Sequence, residues 1–294
     1  MGQGHWEKNL LDLIRRTSVD LPSDVEAALR RALKQENPGS RAAWALSTIL
    51  ANVELARKND TPICQDTGTL HFYFRVPVGC DTNALVAHTR NAVSKATRLG
   101  YLRQNTVDSI TGAPYVTNVA AGSPVFHFEQ GARKTVDVRL LMKGGGCENV
   151  GAQYTLPDER LKADRDLEGV RRCVLDAVWQ AQGCGCAPGV IAVCIGGDRE
   201  SGHAHAKELF LRKLNDSSSV RVLAKLEERL CRDIRQLGIG PMGLGGRSTV
   251  LAVKVGSLSR LPASYFVTVS YMCWAFRRRG VILGPEGGVH RWLY

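Results

Sequence analysis

No part of this 294-residue chain approaches the roughly 18 consecutive apolar residues of a membrane span, so no helical span is expected. Met1 to Lys8 carries His5, Trp6 and Glu7 but no apolar secretory core, and a cytoplasmic protein is the expectation. Disulfides are rare in that compartment. The nine cysteines, an odd number, therefore point to metal binding or chemistry for some of them. A paired zinc pattern is missing as well. Cys184-Gly185-Cys186 is too tight for a C-x2-C knuckle, and no second pair exists. What remains is ligands far apart in sequence that meet in space. Nucleotide signatures fail too. Gly238-Ile239-Gly240-Pro241-Met242-Gly243 has the letters of the dinucleotide fingerprint, but a predicted helix precedes it and Pro241 offers no N–H. Gly245-Gly246-Arg247-Ser248-Thr249 lacks the P-loop lysine.

Acidic residues are in deficit: 28 Asp and Glu against 39 Lys and Arg, a formal net charge of +11. A nucleic-acid or membrane surface is one reading. A field that gathers small anionic substrates is another, and a plain solvated basic surface is the third. The one dense run is Arg277-Arg278-Arg279, and no aromatic-rich base-stacking motif accompanies it. Nucleic acid is not the expected partner.

Hydrophobic residues make up 44% and charged residues 23%, enough for a sizeable core. The opening is all-helical by pattern. A helix over 5–16 places Leu10, Leu13 and Ile14 on one side. Ser23, with Glu26 three residues on, opens a second helix carrying Val25, Ala28, Leu29 and Leu33. A third over 41–57 carries Trp44, Ile49, Leu50 and Val53. Strands are expected over 70–78, within 115–142, and over 190–195, 248–255 and 265–272, with helices over 83–99, 165–182, 201–213 and 219–236. His203 and His205 fall at a helix start, where alternate positions diverge, and read as surface histidines. No internal repeat or long linker appears. The expectation is one α+β domain over 1–294: a helical N-terminal portion to about residue 60, a mixed α/β portion over about 61–283, and an irregular tail over 284–294.

Between the helical and mixed portions lies Thr61-Pro62-Ile63-Cys64-Gln65-Asp66-Thr67-Gly68-Thr69. Pro62 pushes Thr61 into an extended shape, and Gly68 permits angles other residues resist. A soft ligand, an amide and a carboxylate in succession make Cys64, Gln65 and Asp66 a candidate site, with a buried hydrophobic cysteine as the plain alternative. Gly144-Gly145-Gly146 follows a predicted strand. Its backbone N–H groups form either a carboxylate-binding nest or a simple tight turn.

Taken together these stretches resemble the iron–sulfur class I fumarases and the related L(+)-tartrate dehydratases. The resemblance rests on Pro62-Ile63-Cys64-Gln65-Asp66-Thr67-Gly68-Thr69 and Lys143-Gly144-Gly145-Gly146-Cys147-Glu148-Asn149. It continues through the Cys186-Ala187-Pro188 turn before Gly196-Gly197, then Leu237-Gly238-Ile239-Gly240-Pro241 with Gly243-Leu244-Gly245-Gly246. It ends on Val269-Ser270-Tyr271-Met272-Cys273-Trp274-Ala275 with Arg277-Arg278. It implies a [4Fe–4S] cluster held by Cys64, Cys186 and Cys273, with one iron open as a Lewis acid. It implies that Gln65 and Asp66 contact substrate or its hydroxyl, that Arg103 pairs with a substrate carboxylate, and that the backbone at Gly145 holds the other end. The expected activity is reversible hydration of fumarate to malate, with tartrate dehydration to oxaloacetate as the alternative. A non-catalytic iron–sulfur or nucleic-acid-binding protein is the reading from another class. Two features depart from the family. Leu261, in Leu261-Pro262-Ala263-Ser264, stands where the fumarases carry histidine. The chain also stops at Tyr294, where single-chain members continue into a further domain. The resemblance is therefore to an alpha-type subunit, with a beta-type partner carrying the remaining catalytic residues in an α2β2 assembly.

Overall fold

The structure, a computed structural model, describes residues 3–294, with side chains from His5 onward. Along the chain run α1 (Gln3–Val19), α2 (Ser23–Gln35), α3 (Arg41–Asn59), β1 (Thr69–Pro77), α4 (Thr82–Arg98), β2 (Val125–Gly131) and β3 (Val136–Lys143). There follow the one-turn α5 (Gly145–Asn149), β4 (Ala152–Thr155), α6 (Leu167–Ala181), β5 (Gly189–Gly196), α7 (Arg199–Glu208) and α8 (Arg221–Gln236). The chain closes with β6 (Val250–Leu258), β7 (Phe266–Met272), β8 (Arg277–Leu283) and β9 (Val289–Leu293). The α+β expectation holds. Among the described residues no helix is long and apolar enough to cross a membrane.

Contacts divide the chain into two compact units that are not sequential. One comprises Met1–Ser23, Ala51–Gly145 and Arg277–Tyr294; the other comprises Asp24–Leu50 and Gly146–Phe276. The first is built on a five-stranded sheet in the order β2-β1-β3-β8-β9, with β1 parallel to β2 and antiparallel to β3. Alternation along β1 sends Leu70, Phe72, Phe74 and Val76 to one face. There they pack with Trp6, Leu10, Leu13 and Ile14 of α1 and with Leu85, Ala92, Val93 and Ala96 of α4. Asp81 caps α4 by accepting the Ala84 N–H at 3.0 Å.

The second unit holds a four-stranded sheet in the order β4-β7-β5-β6. Every residue of β5 is buried, as suits a central strand with a parallel neighbour, β6, and an antiparallel one, β7. The apolar stripes of α6 (Val170, Val174, Val178) and α8 (Leu223, Leu226, Leu230, Ile234) complete its core. Glu36, just past α2, is buried. It accepts the N–H groups of Arg247 and Ser248 at 3.0 and 2.7 Å, tying down the glycine-rich stretch before β6.

The structure departs from expectation at four places. Trp44 points outward from α3, so the apolar face of that helix runs through Leu46, Ile49, Leu50 and Val53 instead. The β-like stretch within 115–142 begins as strand only at Val125. The tail over 284–294 is not irregular, because β9 pairs antiparallel with β8 there. β8 itself begins on the triple arginine. Arg277 and Arg278 are buried rather than solvated, which a charge run at strand spacing conceals. Arg279 is held by Asp20 at 2.6 Å, and Arg278 stacks on the Tyr294 ring at 4.7 Å.

Candidate active site

In the first unit, the loop after α3 is pinned from behind. Thr61 N–H bonds the Ala56 carbonyl, Ile63 N–H bonds the Ser18 carbonyl, and Asn52 Nδ2 donates to the Ile63 carbonyl at 2.9 Å. The Ile63 side chain is buried, which turns the next three residues outward: Cys64 half-buried, Gln65 exposed and Asp66 half-buried. Gln65 Oε1 lies 3.7 Å from the Cys64 sulfur.

Asp66 is the most constrained of the three. Its Oδ1 accepts the Gly68 N–H at 2.9 Å, an Asx-type turn, and lies 3.3 Å from Asn105 Nδ2. Its Oδ2 accepts the Gly145 N–H at 2.8 Å, and its carbonyl accepts from Arg277 Nη2 at 2.7 Å. The loop lies so close to the end of β3 that a Cβ on Gly68 would sit 2.6 Å from the Lys143 carbonyl carbon and oxygen. Gly68 also has φ +73°. Both the freedom and the small size of glycine are used here. One N–H of the glycine run after β3, that of Gly145, is therefore taken in this structure by the Asp66 carboxylate.

Arg103 joins the same neighbourhood through its backbone, since its N–H donates to the buried Thr67 hydroxyl at 3.3 Å. Its side chain is exposed. The segment from Arg103 to Thr106 is organised by Asn118, a residue sequence reading passed over. Asn118 is 2% exposed and sits at φ +58°. Its Nδ2 donates to the Arg103 carbonyl (2.6 Å) and the Thr97 hydroxyl (3.1 Å). Its Oδ1 accepts from the N–H groups of Asn105 (2.9 Å) and Thr106 (3.0 Å). All four hydrogen-bonding positions of the amide are used. The only local signal was that asparagine tolerates the left-handed region.

In the second unit, Cys186 follows a 3-10 turn at φ 51°, ψ 59°, with its N–H on the Gly183 carbonyl. Its own carbonyl accepts the Trp274 N–H at 3.2 Å, so the backbones at Cys186 and just after Cys273 are joined. The Cys273 N–H in turn donates to the Cys147 sulfur at 3.3 Å. The Tyr271 ring lies over this turn. A Cβ on Gly185 or Gly189 would fall 2.6 or 2.5 Å from it, so only glycine fits at either side of Cys186. The Tyr271 phenol is pushed up, first by burial and then by its electrostatic interaction with the neighbouring Cys147, Cys273 and Cys186. The glycine-rich stretch after α8 backs the same turn, with the Met242 N–H on the Ala187 carbonyl at 2.8 Å. Leu261 lies on the exposed turn between β6 and β7, 75% exposed.

None of the nine cysteines forms a disulfide, and Cys64, Cys186 and Cys273 are each half-buried. The residues left out of the ligand set differ. Burial pushes the Cys173 thiol up to about 12 and that of Cys194 to about 11, which leaves both as inert core residues. Burial also raises Cys80 and Cys231, and Cys184 is exposed. Among the described residues no three His, Cys, Asp or Glu side chains gather around a point that would hold a single metal ion. A cubane cluster makes a different demand, thiolates spaced around a four-iron core. Three accessible, reduced thiols are the right donors for it.

The profile of the fumarate hydratase (Fumerase) family matches residues 7–282. A Geobacillus stearothermophilus protein provisionally named fumarate hydratase class I is 47% identical over 291 residues, 98% of this chain and 57% of that protein. The chain thus spans a little over half the length of that relative. A Methanocaldococcus jannaschii protein provisionally named L(+)-tartrate dehydratase subunit alpha is 31% identical, covering 92% of this chain and 94% of its own length. The L(+)-tartrate dehydratase subunit alpha of Escherichia coli K12 is 29% identical, covering 90% and 86% respectively.

Proposed function

The chain belongs to the fumarate hydratase (Fumerase) family, and we propose that it is the cluster-bearing, alpha-type subunit of a hydro-lyase that reversibly hydrates fumarate to malate. The support that weighs most is the span of the family match, residues 7–282, which takes in Cys64, Cys186 and Cys273. These three would hold a [4Fe–4S] cluster. When bound, such a cluster supplies an open iron that acts as a Lewis acid on substrate oxygens. A cytoplasmic setting suits it, because thiols stay reduced there.

The remaining chemistry falls to the chain's own groups. Arg103 presents an exposed guanidinium on a segment fixed by Asn118, and its planar fork suits a substrate carboxylate. The other carboxylate is placed at the Gly145 N–H, which Asp66 holds at 2.8 Å. A substrate taking that N–H releases Asp66 Oδ2. The freed oxygen is then positioned to take or return the hydroxyl proton, with Gln65 steering the hydroxyl itself. Water is added across the double bond, with hydroxyl to one carbon and a proton to the other. The proton at carbon is assigned to a beta-type partner in an α2β2 assembly. The alpha-type assignment draws support from the alpha subunits whose lengths the chain covers at 94% and 86%.

Those same relatives favour a second reading, dehydration of L(+)-tartrate to oxaloacetate. Leucine at position 261, unable to bond a carboxylate or move a proton, weighs on the side of a substrate other than fumarate. The test is activity of the chain co-expressed with a beta-type partner and handled without air, on fumarate, malate and both tartrates. Turnover of fumarate and malate supports the first reading, and turnover of tartrate alone replaces it with the second. A loaded pair whose spectrum no dicarboxylate perturbs, and which binds nucleic acid in a salt-sensitive way, overturns both.

A further inference from the structure

Arg277 is the first residue of β8, in register with Met142 of β3, and is 1% exposed. Its Nη2 donates to the Asp66 carbonyl at 2.7 Å. Its Nε and Nη1 are buried and have no hydrogen-bond partner among the described residues. The buried Lys254 sits on Asp216, and the half-buried Arg212, Arg139 and Arg279 sit on Glu227, Asp137 and Asp20. Among the described residues Arg277 has no ion pair with a carboxylate. The carboxylate of Asp66 is committed to main-chain N–H groups and Asn105, and it is the backbone carbonyl of Asp66 that Arg277 holds. A guanidinium cannot neutralise itself by losing a proton, and an uncompensated buried charge costs several kcal/mol. A fold keeps such a group where an anion completes it.

The loop that Arg277 grips begins two residues earlier with Cys64. Three thiolates outweigh the positive charge of an oxidised four-iron, four-sulfide core, so a cluster held by this chain is an anion. We propose that Arg277 is a positioning residue that serves as the buried counter-charge of that cluster. Nη2 fixes the Cys64–Asp66 loop, and the buried Nε and Nη1 are the donors left over that would face the negative charge of a bound cluster. The inference rests on the functional reading above and adds to it a residue that holds the cluster without ligating it. A positive charge with N–H donors at the sulfurs also raises the reduction potential of a cluster.

The test compares the full-length wild-type chain with Arg277→Gln and Arg277→Lys, each reconstituted with iron and sulfide without air. Iron loss to a chelator, the cluster's reduction potential and the melting temperature of the apo chain are measured. Arg277→Gln is expected to lose iron about tenfold faster or more, the effect of removing a charge-assisted hydrogen bond. Its potential is expected to move to a more negative value. Its apo form is expected to melt no lower than wild type, because a neutral amide replaces a charge that nothing in the apo chain balances. Arg277→Lys, which keeps the charge and loses the fork, is expected to fall between the two. A glutamine variant that holds iron as wild type does overturns the proposal. So does one whose apo form melts lower by the same shift as its loaded form, or fails to fold, since either marks an ordinary structural arginine. A wild-type chain that takes up no iron and sulfide refutes the functional reading itself, and this inference with it.

Discussion

Replacing Gly68 by alanine tests how closely the Cys64–Asp66 loop approaches β3. Two costs are expected. The first is conformational: at φ +73° an L-residue with a Cβ is disfavoured by roughly 1–2 kcal/mol. The second is steric. The new Cβ would lie 2.6 Å from the Lys143 carbonyl carbon and oxygen and 2.9 Å from the Gly144 nitrogen. These are backbone atoms that cannot swing away, and overpacking of this kind costs about 1–3 kcal/mol. Gly100 provides the control within the same unit. It has φ +80°, and nothing lies within 4 Å of where its Cβ would go, so Gly100→Ala bears the conformational cost alone. The effect on the unfolded chain is the same for both and cancels. Urea denaturation followed by circular dichroism should show Gly68→Ala less stable than Gly100→Ala by about 1–3 kcal/mol at unchanged m-value. The loosened Asp66 turn should also make Cys64 react faster with a thiol reagent. Equal destabilisation of the two variants, within about 0.5 kcal/mol, would refute the close approach of loop and strand on which the site description depends.

Two further outcomes follow from other contacts. Asn118→Ala strands the Asn105 and Thr106 N–H groups and the Arg103 carbonyl; a loss of about 1–3 kcal/mol is expected in denaturation, with a raised KM for the dicarboxylate in the assembled enzyme and a smaller effect on kcat. Asp176 is held below the usual carboxylate range, chiefly by its hydrogen bond from Arg160, against the opposing effect of burial, with the Tyr154 hydroxyl adding to the lowering. A depressed carboxylate stabilises the fold above its unfolded value of roughly 3.9 and loses that contribution as pH falls through the folded one, so the stability gap between wild type and Asp176→Asn should be widest near neutrality and close in acid.

Much of the fold was legible because its signals are local. Period-2 alternation over Val136–Leu140 marked β3, apolar stripes at helical spacing marked α4 and α6, and the order of elements followed. The exceptions share a cause. β8 opens on three arginines, and no local rule says that two of them are buried, because what surrounds them comes from distant parts of the chain. β9 was hidden by the glycines before it, since a strand at Val289–Leu293 is set by pairing with β8 rather than by its own residues. The division into two units was illegible for the same reason, as each is assembled from discontinuous segments. At the site, Cys64-Gln65-Asp66 announced itself by residue type and by its turn signals. Its supports did not: Asn118 reaches back 13 and 15 residues to Asn105 and Arg103, and Arg277 reaches 211 residues to Asp66. A single sequence records that such residues are polar, not which backbone group they serve.

Cys64, Cys186 and Cys273, and no other cysteine, are proposed here as the ligands of the cluster. The most direct test of this assignment is iron and sulfide content per chain after anaerobic reconstitution, measured for wild type and for single serine substitutions at each of the three, with Cys184→Ser and Cys147→Ser as controls. About four iron and four sulfide are expected in wild type and in both controls, and a collapse of both counts in each of the three substitutions. Full iron content in Cys64→Ser, Cys186→Ser or Cys273→Ser, or its loss in Cys184→Ser, would contradict it.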